Sequence, residues 1–357
     1  MVSYISGIEL ARGFYFDIVQ NLIDSPHAAA LLGEGSEVLG YDQPRSMDHA
    51  FGPRMQIFVH STEIDTISNA VERGLPKEYK GYPVQFYSWQ DERVKHHVEI
   101  TTLDNWLMSQ LRFSHVSELT PAKWLAMPQQ HLLQFISGAV FRDDIGELQE
   151  MRNQLSWYPI DVWLWMMASQ WHLIGNIQHF IGRTAEASDV RGSSLISFRL
   201  VHLIMELSFL QERRYWPYLK WFGTAFSKLN IAPILAPKLD AILQSGDQET
   251  RENEINSALL LMAERHNSLE LTRVVTPMVD NFQVGINNAV RPYRVLNAGD
   301  FANACIHSIK DEKIRRLQTV GSIDQLTHAD DVLINFTSWP HHFNQLYQHH
   351  LENSLSE

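Results

Sequence analysis

Cysteine is nearly absent from the sequence, with Cys305 as its single residue among 357. One thiol can form neither an internal disulfide framework nor the paired-cysteine site that holds structural zinc. Long apolar runs are missing too, since no uninterrupted stretch reaches the roughly 18 to 20 residues of a membrane span. The chain opens on a mixed polar segment without the pattern of a signal peptide. We therefore expect a cytoplasmic protein that does not enter a membrane.

Basic residues are also fewer than acidic ones. The chain has 29 Lys and Arg residues against 41 Asp and Glu residues, which gives a formal net charge of −12. Nucleic acids and anionic membranes are bound through basic surfaces. The composition therefore disfavours a polynucleotide partner, although a local basic patch leaves binding of an RNA end open. No membrane partner is expected.

Several catalytic signatures are missing as well. The sequence has neither H-E-x-x-H nor H-x-E paired with C-x-x-C, so it does not predict a zinc hydrolase or a zinc deaminase. It also lacks G-x-S-x-G and G-x-x-x-x-G-K-[ST], the signatures of many serine hydrolases and of P-loop proteins. Histidine is abundant, with 17 residues, but without metal-binding spacing. His96 and His97, for example, are neighbours on a predicted strand and must point to opposite faces.

The length and composition predict two globular domains, since 357 residues exceed one ordinary core and 45% of them are hydrophobic. The first domain is expected over residues 1–118, where helical and strand patterns follow one another. The predicted helices are 7–24 and 62–73, and the predicted strands are 28–32, 55–59, 84–89 and 97–101. This order predicts an α+β fold with a small mixed sheet.

Residues 119–335 have a different pattern, in which apolar residues recur at helical spacing. The predicted helical segments are 129–137, 147–155, 160–181, 192–213, 215–228, 233–244 and 250–271. We therefore predict a mainly helical second domain, whose residues 286–331 are mixed in character. A weakly patterned tail is expected over residues 336–357.

The segment from Leu31 to Val59 combines features that occur together nowhere else in the chain. Gly35 and Ser36 form a turn between two apolar segments, and Asp42 and Asp48 precede the second of them. Backbone N–H groups and a hydroxyl in such a turn can bind the phosphates of a nucleotide, while carboxylates hold the metal that neutralises them. The sequence therefore predicts a phosphate-handling site here.

Two further residues complete this predicted site. Arg54 follows Asp48 by six residues and could brace a phosphate through its planar guanidinium group. Glu99, a carboxylate in the middle of the predicted strand HHVEITT, would face Asp48 if the two strands lay side by side. The alternative is structural, namely a tight turn with solvated acids, because short motifs often match by chance.

A glycine–serine turn followed after eleven residues by an aspartate resembles the signature of the polymerase-β-like nucleotidyltransferase superfamily. In that superfamily the turn holds a nucleoside triphosphate and three acids bind magnesium. The whole chain resembles an uncharacterised, mainly bacterial family of nucleotidyltransferase-like proteins, classified as domain of unknown function 4037. The matching segments, spread over residues 7–332, include LLGEGSEVLGYD, SMDHAFGPR, HHVEITT, LSWYPIDVWLW and RRYWPYLKWFGTAF.

The resemblance implies roles for individual positions. The residues that match are Gly35 and Ser36 for the triphosphate-binding turn, Asp48 for the first metal-binding acid and Glu99 for the late acid. The second acid is expected two residues after Asp48, where this chain has Ala50. Losing one carboxylate should weaken metal binding and transition-state stabilisation, unless Asp42 or Glu37 compensates for it.

Two functions follow from these residues. The first is transfer of a nucleoside monophosphate from a nucleoside triphosphate to an unidentified small-molecule or protein acceptor. This reaction would depend on Mg²⁺, with Mn²⁺ as the alternative ion, and Asp48, Glu99 and Asp42 would be its metal-binding and catalytic acids. The second is a catalytically impaired nucleotide-binding or partner-binding module, for which Ala50 is the motivation.

A second cluster lies in RRYWPYLKWF, which runs from Arg213 to Phe222 and places three basic residues among five aromatic ones. We predict Arg213, Arg214 and Lys220 as further contacts to the nucleotide phosphates. The structural alternative is helix packing, in which the rings form a core and the cations extend into solvent.

Two polar features of the helical domain complete the set of candidates. Arg199, His202 and Glu206 recur at helical spacing on one stripe of an apolar helix, which we expect to be a solvated face. The alternative is that this stripe lines a cleft between the domains. His266, in AERHN, is expected to be a hydrogen-bonded core or cleft residue.

Overall fold

The computed structural model describes residues 3–48, 51–88, 93–335 and 338–353, apart from the side chains of Asp48 and Asp331. The chain divides into two compact units. The first comprises Met1–Thr120 and Gln130–Ser156, and the second comprises Pro121–Gln129 and Trp157–Glu357. A mixed sheet with helices is followed by a mainly helical region, so the predicted α+β fold class is confirmed.

The helices are α1 Gly7–Asp17, α2 Ile64–Gly74, α3 Leu103–Leu111, α4 Pro121–Ala126, α5 Gln129–Ile136, α6 Glu147–Gln154, α7 Ile160–Glu186, α8 Val190–Gln211, α9 Leu219–Phe226, α10 Ala232–Gln244, α11 Gln248–Ser268, α12 Ala298–Ser308, α13 Glu312–Arg316, α14 Ile323–Thr327, α15 Asp331–Asn335 and α16 Ser338–Asn353. The strands are β1 Ala28–Leu31, β2 Arg54–Phe58, β3 Glu78–Tyr79, β4 Tyr82–Pro83, β5 Gln85–Ser88, β6 Arg93–Thr101, β7 Ala139–Asp143, β8 Val279–Gln283 and β9 Val290–Leu296. Short 3₁₀ turns cover Val19–Leu22, Pro44–Asp48, Ser61–Glu63 and Val116–Glu118.

The first unit is built on a five-stranded sheet with the order β5-β6-β2-β1-β7. Strand β2 runs parallel to β6 and antiparallel to β1, and β1 pairs antiparallel with β7. Because β7 completes this sheet, Gln130–Ser156 belongs to the first unit. The boundary that we placed at residue 118 differs from this division, since the helical periodicity after residue 121 conceals one short strand.

The two faces of the sheet have different chemistry, because successive side chains of a strand alternate between faces. One face contributes Ala29, Met55, Ile57 and Val98 to an apolar core that also contains Leu10 and Phe14 of α1 and Ile67 and Val71 of α2. The other face carries Arg54, Gln56 and Glu99, since Gln56 and Glu99 are partners in the parallel register. The polar candidates of the predicted site therefore share one face of the sheet.

The second unit has a tryptophan-rich core. Trp163, Trp165, Trp171 and Trp216 are each at most 2% exposed. A buried indole N–H needs an acceptor, and Trp163 Nε1 donates to the carbonyl of Leu210 at 2.9 Å while Trp165 Nε1 donates to the carbonyl of Leu317 at 3.0 Å. These bonds fix the orientation of the rings within the helical unit.

His266 of α11 lies in this core, as the sequence predicted, and is 1% exposed. Its Nδ1 accepts a hydrogen bond from Trp171 Nε1 at 3.1 Å, so the ring proton belongs on Nε2, which lies 3.1 Å from Thr272 Oγ1. Burial lowers the pKa of His266 to about 4. The imidazole is therefore neutral and structural at neutral pH.

The polar stripe of α8 is not a solvated face, which corrects our expectation for Glu206. Its side chain is 1% exposed and lies 3.2 Å from His202 Nε2. Its Oε2 accepts from Gln170 Nε2 at 2.9 Å, and Gln170 Oε1 accepts in turn from Gln325 Nε2 at 2.6 Å. A buried carboxylate needs such partners, and these come from helices far apart in the sequence.

Helix α8 is long and apolar enough to cross a membrane by the measures of length and composition. In the structure, however, 61% of its most apolar window is buried inside the protein. The core helix of a folded unit meets the same two criteria. Helix α8 is therefore weak evidence for a membrane span.

The end of the chain, for which the sequence shows only weak patterning, contains the helix α16. Phe343, Tyr347 and Leu351 recur every four residues, and Tyr347 and Leu351 are buried. The hydroxyl of Tyr347 donates to the carbonyl of Gly321 at 2.5 Å. Numerous His, Asn and Gln residues between these positions mask the apolar stripe in the sequence.

The pH dependence of stability can be predicted for Asp324, which is fully buried in α14. Burial raises the pKa of Asp324 to about 7, and the negative charge of Glu206 acts in the same direction. The folded state therefore binds a proton between about pH 4 and pH 7 that the unfolded state releases, and wild-type stability should fall as the pH rises through this range.

Asp324→Asn removes this titration but keeps an oxygen that can accept the Gln129 N–H bond, which measures 2.9 Å. We expect the free energy of unfolding of the variant, relative to that of the wild type, to increase as the pH rises from 4.5 to 7.5. The increase should be on the order of a few kcal/mol. Urea unfolding at several pH values measures it. Asp240→Asn, at an exposed position of α10, is the control, and parallel pH profiles for wild type and Asp324→Asn would contradict the prediction.

Candidate functional site

The turn that follows β1 depends on glycine. Gly33 and Gly35 have φ angles of +86° and +128°, which side chains rarely adopt. A Cβ at Gly35 would also collide with the side chains of Arg54 and Glu37. The chain then folds back on itself, since the N–H of Tyr41 donates to the carbonyl of Ser36 at 2.8 Å. We refer to residues 33–37 as the glycine turn.

The glycine turn is held by hydrogen bonds from two sides. On one side, Gln56 of β2 accepts the N–H of Leu32 through Oε1 at 2.9 Å. On the other side, Gly33 N–H donates to the carbonyl of Gln134 at 3.2 Å, and Gly138 N–H donates to the carbonyl of Val38 at 2.8 Å. The turn and the residue that follows it are therefore fixed to the sheet, to α5 and to the segment between α5 and β7.

Arg54, a predicted phosphate contact, lies directly against the glycine turn. Its Nε donates to Glu37 Oε1 at 2.8 Å, and its Nη2 lies 2.6 Å from the same oxygen. Nη2 also donates to the carbonyl of Glu34. The Arg54 side chain is 19% exposed and that of Glu37 is 11% exposed, so the ion pair is largely shielded from water. Arg54 thus connects the first residue of β2 to both ends of the turn.

Three successive backbone donors of the turn, the N–H groups of Gly35, Ser36 and Glu37, have no acceptor within the part of the chain that the structure describes. Gly35 and Ser36 are partly exposed, whereas the side chain of Glu37 is mostly covered. The Ser36 hydroxyl donates to Ser46 Oγ at a long distance of 3.4 Å. Consecutive N–H groups in a turn form a concavity that suits an anion.

Asp42, a predicted metal ligand, has a different set of partners. Its Oδ2 accepts the hydroxyl of Tyr4 and the N–H of Gly7, each at 2.8 Å. Gly7 is the first residue of α1, so this carboxylate satisfies a donor at the start of a helix, where negative charge is favourable. Burial and the bond to Asp42 raise the pKa of the Tyr4 hydroxyl. Asp42 therefore ties α1 to the loop that precedes β2.

The remaining predicted acids are placed as follows. Glu99 is exposed on β6 beside Gln56, on the sheet face that carries Arg54. Asp48 ends a 3₁₀ turn, but its side chain lies outside the described residues, and so does the whole of Ala50. Within the described ranges, no group of three or more His, Cys, Asp or Glu residues is arranged to hold a metal ion.

Arg213, Arg214 and Lys220 are exposed and belong to the second unit, whereas the glycine turn belongs to the first. The guanidinium carbon of Arg213 lies 4.4 Å from the ring centre of Trp163, and Lys220 Nζ lies 5.1 Å from that of Trp221. Among the aromatic residues of this segment, Tyr215, Trp216 and Phe222 are buried. These rings pack in the core while the three cations reach solvent. This arrangement agrees with helix packing, the alternative to phosphate binding for this segment.

Sequence reasoning missed Gln56 as a residue of this site. Its side chain is only 8% exposed, yet its amide oxygen holds the start of the glycine turn. The available signal was a single polar residue inside the apolar run MQIFV. The role of Gly138 could not be read from the sequence, because its partner Val38 lies a hundred residues earlier.

Replacing Arg54 with lysine tests how far the glycine turn depends on the guanidinium group. Lysine keeps the charge but cannot donate to Glu37 and Glu34 in the same planar geometry. We expect Arg54→Lys to lower the free energy of unfolding by about 1–3 kcal/mol, measured by urea denaturation. Arg73→Lys, on the exposed end of α2, is the matched control, and equal stability of the two variants would refute this role.

Comparison with known proteins gives one match. Residues 124–222 match the family described as "Domain of unknown function (DUF4037)". The matched segment includes Arg213, Arg214 and Lys220 but none of the candidate residues of the first unit. No curated protein and no solved structure matches the chain. Over these residues the chain is therefore similar to a family whose function is not described.

Proposed function

We propose that the first unit binds the phosphates of a nucleoside triphosphate at the glycine turn, and that the protein is a nucleotide-binding module impaired in nucleotidyl transfer. The observation that carries this proposal is the row of three N–H groups, from Gly35 to Glu37, that have no acceptor in the described part of the chain. They lie beside the guanidinium group of Arg54. Phosphate oxygens accept hydrogen bonds from both kinds of donor.

Binding involves an exchange of partners at Arg54. In the present structure Glu37 accepts from Arg54 and partly neutralises it. A phosphate group that bonds to the turn competes with Glu37 for the same guanidinium group, because both are anions that suit its planar donors. The strength of binding therefore depends on the balance between these two partners.

Impaired transfer is supported by the residues of β2. Nucleotidyl transfer relies on carboxylates that hold divalent metal against the phosphates. The described β2 residues on the face of the glycine turn include Arg54 and Gln56, a cation and an amide, and both side chains hold the turn in place. The sequence has Ala50 where the resemblance leads us to expect the second acid.

Magnesium-dependent nucleotidyl transfer to a small-molecule or protein acceptor, with Mn²⁺ as the alternative ion, is the second candidate function. One observation favours it: Glu99 is an exposed carboxylate in register with Gln56. Together with Asp48, which the sequence places before β2, it would supply two of the three acids of a metal site. Asp42 would supply another through its Oδ1, because its Oδ2 already accepts from Tyr4 and Gly7.

The binding proposal is tested by calorimetry with the full chain, using ATP and inorganic tripolyphosphate in the absence of divalent metal. We expect both ligands to bind, and Arg54→Gln to weaken binding about tenfold or more through loss of charge-assisted bonds. Glu37→Gln should strengthen binding about tenfold, because it frees Arg54 from its competitor. Arg73→Gln removes the same charge elsewhere and should have little effect.

Absence of binding by the wild type and by Glu37→Gln would overturn the binding proposal. The two candidate functions are separated by pyrophosphate release from each of the four triphosphates with Mg²⁺ or Mn²⁺, with water or the protein's own side chains as the acceptor of the nucleoside monophosphate. We expect no release by the wild type and measurable release by Ala50→Asp. Release by the wild type that Asp48→Asn and Glu99→Gln both abolish would establish the enzyme instead.

A further inference from the structure

The first unit contains a cavity of about 640 Å³ that is separate from the glycine turn. Ala28 and Phe58 line it, and these two residues are paired across β1 and β2. Phe58 is also in register with Thr101, the last residue of β6. The cavity therefore lies where β1 begins and β2 and β6 end, whereas the glycine turn follows the opposite end of β1. Its volume is within the range of pockets that bind small molecules.

The charged lining of this cavity has one sign. Its described lining residues include four acids, Glu63, Asp104, Asp143 and Glu147, and neither Lys nor Arg. Acids are common in the first turn of a helix, but here the first residues of α3 and α6 and the residue before α2 open on the same space. Because four carboxylates outweigh the partial positive charges of these three helix ends, the cavity favours a cation.

The four acids differ in their availability. Asp143 accepts the N–H groups of Gly146 and Gln149 at 3.1 and 2.8 Å, so it caps α6. Asp104 lies 3.9 Å from His115 Nε2. The carboxylates of Glu63 and Glu147 have no hydrogen bond or ion pair with any described residue. These two acids can therefore accept bonds from a ligand without breaking bonds of the fold.

The rest of the lining is largely apolar. Phe58, Val59 and Leu148 are buried side chains at the cavity, and Pro26 and Ile145 also line it. Ligand pockets commonly combine such apolar walls with a few convergent polar groups that set specificity. A ligand that fits this lining has a hydrocarbon body and positively charged ends. The acids do not form a metal-binding group within the described ranges.

We propose that this cavity binds a small organic polyamine, whose amino groups bond to Glu63 and Glu147 while its methylene chain lies on Phe58 and Leu148. Each protonated amino group donates to carboxylate oxygens, and the apolar walls exclude water from the chain between them. This site is distinct from the glycine turn, because it lies at the opposite end of β1.

Calorimetry of the full chain with spermidine tests the proposal at about 0.15 M ionic strength, where diffuse attraction to a chain of net charge −12 is screened. We expect one spermidine to bind per chain, and an uncharged aliphatic diol of similar length not to bind. Glu63→Gln and Glu147→Gln should each weaken binding about fivefold, as expected for the loss of one solvent-accessible ion pair.

Two further variants make the test specific. Glu264→Gln removes one exposed carboxylate from α11 of the second unit and should leave spermidine binding unchanged. Ala28→Leu changes no charge but fills part of the cavity, and it should weaken spermidine binding about tenfold or more while leaving ATP binding unchanged. No binding of spermidine by the wild type, or equal binding by wild type, Glu63→Gln, Glu147→Gln and Ala28→Leu, would overturn the proposal.

Discussion

The ion pair between Arg54 and Glu37 is the contact on which the structure of the candidate site depends. Both side chains are largely shielded, and removing two charges from water is costly unless their geometry is good and further bonds are made. Arg54 meets that condition, because it bonds to Glu37 through two nitrogens and to the carbonyl of Glu34. Gly35 lies so close to this pair that a Cβ there would displace the side-chain ends of Arg54 and Glu37, and its φ of +128° is one that other residues rarely adopt. One arginine thus bonds to both ends of the turn and places a positive charge beside its N–H groups.

The second unit follows the same principle, with two neutral amides as the partners of one buried carboxylate. Glu206, Gln170 and Gln325 form a chain of buried hydrogen bonds that joins α8, α7 and α14. A buried polar group without a partner is costly, so these contacts select one relative arrangement of the three helices. Glu206 and Gln170 both lie in the segment that matches the family of unknown function. That segment therefore contributes a specific polar connection to the core.

Local sequence patterns predicted where helices and strands lie better than they predicted which elements and side chains contact one another. Apolar periodicity located α7, α8 and α11 to within a few residues, and alternation located β2 and β6. The pairing of β7 with β1 escaped prediction because the two strands are more than a hundred residues apart and β7 has helical segments on both sides. The burial of Glu206 also escaped, since its partners come from distant helices.

In the candidate site, too, residues from one segment were predicted and contacts between distant segments were not. Gly35, Ser36 and Arg54 were predicted from one continuous segment, and the structure places Arg54 against the turn. Asp42 accepts from Tyr4 and from the N–H of Gly7, which lies 35 positions away, and no sequence pattern connects these residues. Gln56 was missed because an amide within a strand has no distinctive spacing. The sequence thus indicated neighbours that lie in one segment and missed those that come from distant segments.

The strand β7 has a consequence for how the protein is made. Strand β1 lies between β2 and β7 in the sheet, yet β7 ends only at Asp143. Domains generally fold as units during synthesis, from the amino terminus onward. The ribosome must therefore release the chain past α4, which belongs to the other unit, before the sheet of the first unit can close. Until then one side of β1 is an open edge that a chaperone or a second nascent chain can pair with.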